Sequence, residues 1–250
     1  MRPIDAHVHV GKWNLPDFTG HGSTFLETTR TYQRWNWAGA VVFTTDSGDN
    51  AHLLEACRSF SGSALFRCGF WADTTPDNLA AYQQQAGDYA LLKIHPSITR
   101  RPATDPQFAP YGEIAAARGQ PVVIHCGRWQ EMAGYTLALE FADRFPKAPV
   151  ILAHMGGDSP HLVQAAVDAA YSRKMDNVYF GTESIREPWL LESAIRRIGA
   201  SRLIFGSDFN LNHPEPFRRL IEILDVTDEE RTMILRSNIN NLMSEQQRFF

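Results

Sequence analysis

Ile4-Asp5-Ala6-His7-Val8-His9-Val10-Gly11 is the stretch on which the reading of this chain turns. As a strand it alternates its side chains between two faces, so Asp5, His7 and His9 are expected to project to one side. Two imidazoles two residues apart on one strand face can grip a single divalent ion, and neutral imidazole is the commonest protein ligand for zinc. Such pairs also occur by chance on surface strands. The later chain decides between the two.

Working outward, short apolar runs alternate with longer amphipathic segments, the signature of repeated βα units around a parallel sheet. The runs that read as strands are Pro3–Val10, Gly39–Thr45, Ala64–Trp71, Ala90–His95, Pro121–Cys126, Val150–His154, Val178–Gly181 and Arg202–Ser207. Helices are expected over Thr24–Trp37, Asn50–Phe60, Pro76–Ala86, Pro106–Arg118, Gly134–Phe145, Pro160–Lys174 and Pro188–Ile198, with Pro216–Leu224 and Thr227–Leu242 closing the chain. Pro76, Pro160 and Pro188 suit the first turn of a helix, where the missing N–H costs nothing. Eight such units fit an α/β protein of the (β/α)8 TIM-barrel class, with residues 1–250 as one domain. An open doubly wound sheet is the competing architecture, but the first strand is not followed by a G-x-G-x-x-G phosphate turn.

Composition narrows the function. The 250 residues are 44% hydrophobic and 21% charged, with a formal net charge of −4. That balance carries no basic footprint for nucleic acid, and no run of eighteen apolar residues would span a membrane. Met1-Arg2-Pro3 leads straight into the histidine pair and leaves no room for a signal peptide. Cys57, Cys68 and Cys126 form no C-x-x-C and cannot all pair, which suits a reducing cytoplasm.

The strand ends carry the chemistry. The runs close on His7 and His9, on Lys93 and His95, on His125, on His154 and on Asp208. Five of the nine histidines fall at these ends, and in a barrel enzyme the C-terminal strand ends form one mouth. Any one of them alone reads most simply as a core histidine held by a hydrogen bond. Taken together, His7, His9, His125 and Asp208 would each cost on the order of 1–3 kcal/mol if buried without partners, and a bound cation removes that cost. Nitrogen and carboxylate donors suit Zn²⁺, with Mn²⁺ or Fe²⁺ as alternatives.

The ordered series IDAHVHVG, LLKIHP, VVIHCG, ILAHMGG and LIFGSDFN resembles the amidohydrolase superfamily, in particular the amidohydrolase-2 group of metal-dependent barrel hydrolases and decarboxylases. The likeness runs from the first strand to Asn238–Leu242. It implies a metal on His7, His9, His125 and Asp208, with a water in the remaining position. It gives His154 two alternative roles, contacting that water or holding a second metal with Lys93 as a carboxylated bridge. One ion is the expectation.

On this reading the metal lowers the pKa of water and polarises a carbonyl, Asp208 moves the proton and His154 orients the nucleophile. Asp5 would fix an imidazole tautomer or bond to the barrel floor. Arg128, Trp129, Trp13 and His95 are the candidate substrate contacts, with Lys12, Arg100, Arg101, Arg186 and Asn210 in the surrounding loops. The expected activity is hydrolysis of an amide, ester or lactone of a small acidic molecule. The alternative is non-oxidative decarboxylation or hydration. The expected partner is a small-molecule substrate, and short loops leave either an open mouth or one completed by a homo-oligomer.

Overall fold

A computed structural model of the chain describes every residue except Pro16, Asp17, Thr19, Ser47 and Arg128. Its strands are β1 (Ile4–Lys12), β2 (Gly22–Ser23), β3 (Gly39–Thr44), β4 (Leu65–Cys68), β5 (Phe70–Ala72), β6 (Leu92–Ile94), β7 (Val122–Ile124), β8 (Val150–Leu152), β9 (Val178–Gly181) and β10 (Leu203–Ile204). They form two hydrogen-bonded sheets, β2-β1-β3-β4 and β10-β9-β8-β7-β6-β5, parallel throughout except where β2 folds back on β1.

Backbone bonds join the two sheets into a barrel. On one side β4 and β5 are a single extended segment interrupted at Gly69, whose N–H reaches Val42 O at 2.8 Å while Phe70 N bonds Leu91 O at 2.8 Å. The expected third strand therefore changes neighbours halfway along. On the other side Ala6 N donates to Phe205 O at 3.0 Å and Asp208 N to His7 O at 2.9 Å. The (β/α)8 expectation holds, with strands shorter than the apolar runs because the last residues of each run turn into the mouth.

The helices are α1 (Phe25–Arg34), α2 (Asn50–Ser59), α3 (Pro76–Gln85), α4 (Pro96–Thr99), α5 (Ala109–Arg118), α6 (Gln130–Ala133), α7 (Tyr135–Arg144), α8 (Pro160–Ser172), α9 (Pro188–Ile198), α10 (Pro214–Glu222), α11 (Asp228–Thr232) and α12 (Asn238–Leu242). Thr24 and Glu27 cap α1 reciprocally, as Thr227 and Glu230 cap α11. The long closing helix expected over Thr227–Leu242 is one run broken by a π-helical stretch at Met233–Ser237. No helix among the described residues is long and apolar enough to cross a membrane.

Alternation along the strands separates two cores. Val42, Leu92, Ile94, Val122 and Leu152 pack outward against the helices. Val41, Leu91, Val123, Ile151 and Ile204 fill the barrel interior. In β1 the alternation breaks. Ile4 and Ala6 belong to the interior, Val8 and Val10 to the outer layer, and the register with β3 shifts between Asp5 and Val8. This β-bulge turns His7 and His9 into the mouth and Asp5 away from it. The expected shared face for Asp5, His7 and His9 is thereby corrected. Asp5 Oδ1 instead accepts the backbone N–H of His7 at 3.1 Å and of Ser207 at 3.0 Å, and Oδ2 accepts Tyr32 OH at 2.6 Å.

Candidate metal centre and active site

His7 and His9 reach the mouth from β1, and Asp208 comes from the segment after β10 in a left-handed conformation (φ 62°). Among the described residues, these three offer ligand atoms that all lie within 4.8 Å of one another. His7 Nε2 and His9 Nε2 are 3.2 Å apart, and Asp208 Oδ1 lies 3.7 and 3.5 Å from them.

The surroundings fix which atoms carry protons. His7 Nδ1 faces Glu183 Oε1 at 2.8 Å and His9 Nδ1 faces the Thr44 carbonyl at 3.0 Å. A carboxylate and a carbonyl accept only, so both Nδ1 atoms carry hydrogen and both Nε2 lone pairs converge. Two lone pairs and a carboxylate oxygen gathered in a buried pocket fit a divalent cation. Burial holds His7 well below the usual histidine range, with Lys93 adding to the effect, and lowers His9 to about 4. Both rings are therefore neutral, the form that ligates. Burial raises the Asp208 carboxyl, but His7, His154, His9 and Lys93 outweigh it and hold the group below its ordinary value.

Lys93 is fully buried with Nζ 2.7 Å from His7 Nε2. Burial lowers it to about 8.

His125 and His154 form a second pair. His154 Nε2 is 3.1 Å from His125 Nδ1, and His154 Nδ1 faces the Glu183 carbonyl at 3.3 Å. Alternation from Ile151 would send His154 outward with Leu152. A left-handed turn at His154 and Met155 (φ 55° and 51°) swings the ring into the mouth instead. His95 lies stacked between Trp71 (centroids 5.4 Å) and His125 (3.9 Å). The structure thus brings His7, His9 and Asp208 together and places His125 beside His154.

These residues open onto a cavity of about 1170 Å³, lined also by Trp13, His21, Ile98, Arg186 and Leu211. Trp13 packs edge-on to His9 at 4.9 Å, and its Nε1 donates to Asn210 Oδ1 at 2.9 Å. Trp129 is 44% exposed just before α6, and the cavity lining does not include it. Arg128 lies outside the described residues. Cys126 is buried in the outer core, and burial pushes its thiol up to about 12.

Glu183 and His21 were not legible as site residues. The signal for Glu183 was its position two residues past Gly181, on the inward parity of β9. His21 lines the cavity with Nε2 2.8 Å from Asn210 O, but nothing in its loop sequence marks it.

Fold and site define a barrel whose mouth is built to hold a divalent cation. The amidohydrolase family model matches residues 4–242, and the chain belongs to that family, in its amidohydrolase-2 group, as a metal-dependent enzyme. No curated protein sequence matches it. Among solved structures it is similar to 5-carboxyvanillate decarboxylase from Sphingomonas paucimobilis (13% identity, 97% of this chain and 98% of that one, TM-score 0.74). It is also similar to a protein assigned as a 2-pyrone-4,6-dicarboxylic acid hydrolase from Pseudomonas putida (16%, 96% and 97%, TM-score 0.72). A third is a dihydroxybenzoic acid decarboxylase from Polaromonas with bound manganese and 2-nitroresorcinol (15%, 96% and 96%, TM-score 0.69). At these identities the likeness is one of fold.

Proposed function

We propose that the protein is a hydrolase of a small, negatively charged carbonyl compound, working as one domain in the cytoplasm with a single Zn²⁺ held by His7, His9, Asp208 and His125. What carries this reading is the position of Asp208. Its Oδ1 sits within 3.7 Å of both imidazole Nε2 atoms, and its side chain is 11% exposed toward the cavity while the two histidines are sealed to 1% and 2%.

An ion held by these residues would supply Lewis acidity, polarising a carbonyl and lowering the pKa of water. Asp208, held below its ordinary value and therefore ionised, accepts the proton of the attacking water and returns it to the leaving group. His154, whose Nδ1 bonds the Glu183 carbonyl and whose Nε2 lies 3.1 Å from His125 Nδ1, lines the cavity beside the ion site and orients the nucleophile. Trp13 and His95, the latter backed by Trp71, wall the apolar part of the substrate, and Arg186 offers a charge at the rim.

Decarboxylation is the second reading. Buried Lys93 and the ring stack of Trp71, His95 and His125 suit a flat carboxylate, the substrate type of two of the similar structures. A panel of lactones, amides and aromatic carboxylates, run in ¹⁸O-labelled water, separates the two. Label in the product supports hydrolysis. Bicarbonate released without label in the product overturns it.

A further inference from the structure

Glu183 touches both halves of the site at once. Its Oε1 meets His7 Nδ1 at 2.8 Å, its Oε2 accepts the backbone N–H of His154 at 3.0 Å, and its own carbonyl faces His154 Nδ1 at 3.3 Å. The residue is 1% exposed. Room for its carboxylate comes from two glycines. A Cβ on Gly181 would stand 2.3 Å from Oε2 and one on Gly206 2.3 Å from Oε1, closer than side chains can approach. The barrel wall is thus hollowed, at the end of β9 and just past β10, around this one carboxylate.

We propose that Glu183 is the positioning residue of the centre: its side chain sets the tautomer of His7 and clamps the left-handed turn that delivers His154, so that one carboxylate couples the ion site to the acid–base imidazole. The tautomer follows from donor and acceptor chemistry. Glu183 accepts at Nδ1, and Lys93 Nζ, a donor 2.7 Å from Nε2, meets a lone pair there. The clamp follows from geometry. His154 and Met155 hold positive φ without being glycine, a strained arrangement that neighbouring bonds must maintain. The N–H of His154, at the start of that turn, is the group that Oε2 holds.

Both carboxylate oxygens are in use, which distinguishes this role from packing. Glutamine has the same shape but a single acceptor oxygen, so Glu183→Gln fills the glycine recess and satisfies only one arm. The proposal rests on His7 being an ion ligand, and its test is read on the protein rather than on turnover. Full-length protein labelled with ¹⁵N-histidine is studied zinc-loaded and after dialysis against a chelator, with ring ¹⁵N shifts reporting tautomers and a competing chelator reporting zinc affinity.

In the dialysed wild type His7 is expected as the Nδ1–H tautomer. Glu183→Ala should mix that tautomer, shift the His154 ring signals and weaken zinc about 10–100-fold. Glu183→Gln should disturb one ring and leave the other near its wild-type position. A wild-type His7 carrying its proton on Nε2 overturns the proposal without any variant. So does a folded Glu183→Gln protein with both rings and the zinc affinity unchanged. If neither the wild type nor Glu183→Gln binds zinc, while the wild-type tautomer is as stated, the metal reading fails and the positioning role stands.

Discussion

Lys93 Nζ and His7 Nε2 lie 2.7 Å apart in the barrel interior, where neither residue is more than 1% exposed. The lysine therefore points at the same lone pair that an ion would use. A carboxylated lysine bridging two ions would give two metals per chain. The single-ion centre gives roughly one, since the cluster of His7, His9 and Asp208 supplies one converging donor set. Elemental analysis of wild type and Lys93→Met should return about one ion per chain in both. Two in the wild type and one in the variant would establish the bridge instead.

Asp208→Asn keeps the size of the side chain and removes the base. Turnover should fall roughly 10²–10⁴-fold, the usual contribution of a positioned acid–base group. The circular dichroism spectrum should be unchanged, because the backbone bond from Asp208 N to His7 O does not involve the carboxyl. Undiminished turnover would refute the role.

His9 and His154 are expected to separate in their phenotypes. His9→Ala removes a member of the tight cluster and should lower metal content. His154→Ala lies outside that cluster and should keep the metal while losing turnover. Metal content measured beside initial rates on the two variants is the check. Loss of metal from His154→Ala would place a second ligand site at His154.

Much of this centre was legible because barrel strands announce their ends. Leu91-Leu92-Lys93 and Val122-Val123-Ile124-His125 keep strict alternation, so inward parity carries Lys93 and His125 to the mouth, and Asp208 reaches it from the segment past β10. What stayed hidden are the departures from alternation. The bulge in β1 costs no polar residue and leaves no mark in Ile4–Gly11, yet it exchanges the face of Asp5 for that of His7. The left-handed turn at His154 is made without a glycine at the residue that turns. Glu183 lies beyond an apolar run, where a carboxylate ordinarily reads as solvated, and the glycines that make room for it stand one at the end of β9 and one just past β10.

The outward turn of Asp5 makes it a tie between the first and last strands. Oδ1 holds the backbone N–H groups of His7 and Ser207, and Oδ2 is held by Tyr32 OH from α1 at 2.6 Å. Tyr32→Phe keeps the ring, which packs edge-on to Trp37, Phe66 and Phe209, and deletes only the hydroxyl. It removes one of the hydroxyl donors to a buried carboxyl, beside that of Ser207, a loss of about 1–3 kcal/mol. Urea denaturation should therefore show a lower midpoint with an unchanged slope. Metal content should match the wild type, because Tyr32 bonds Asp5 and not the imidazole rings. A variant as stable as the wild type would show that water or a shifted backbone replaces the hydroxyl. Loss of metal at unchanged stability would instead make Asp5 part of the centre's support, acting through the His7 backbone.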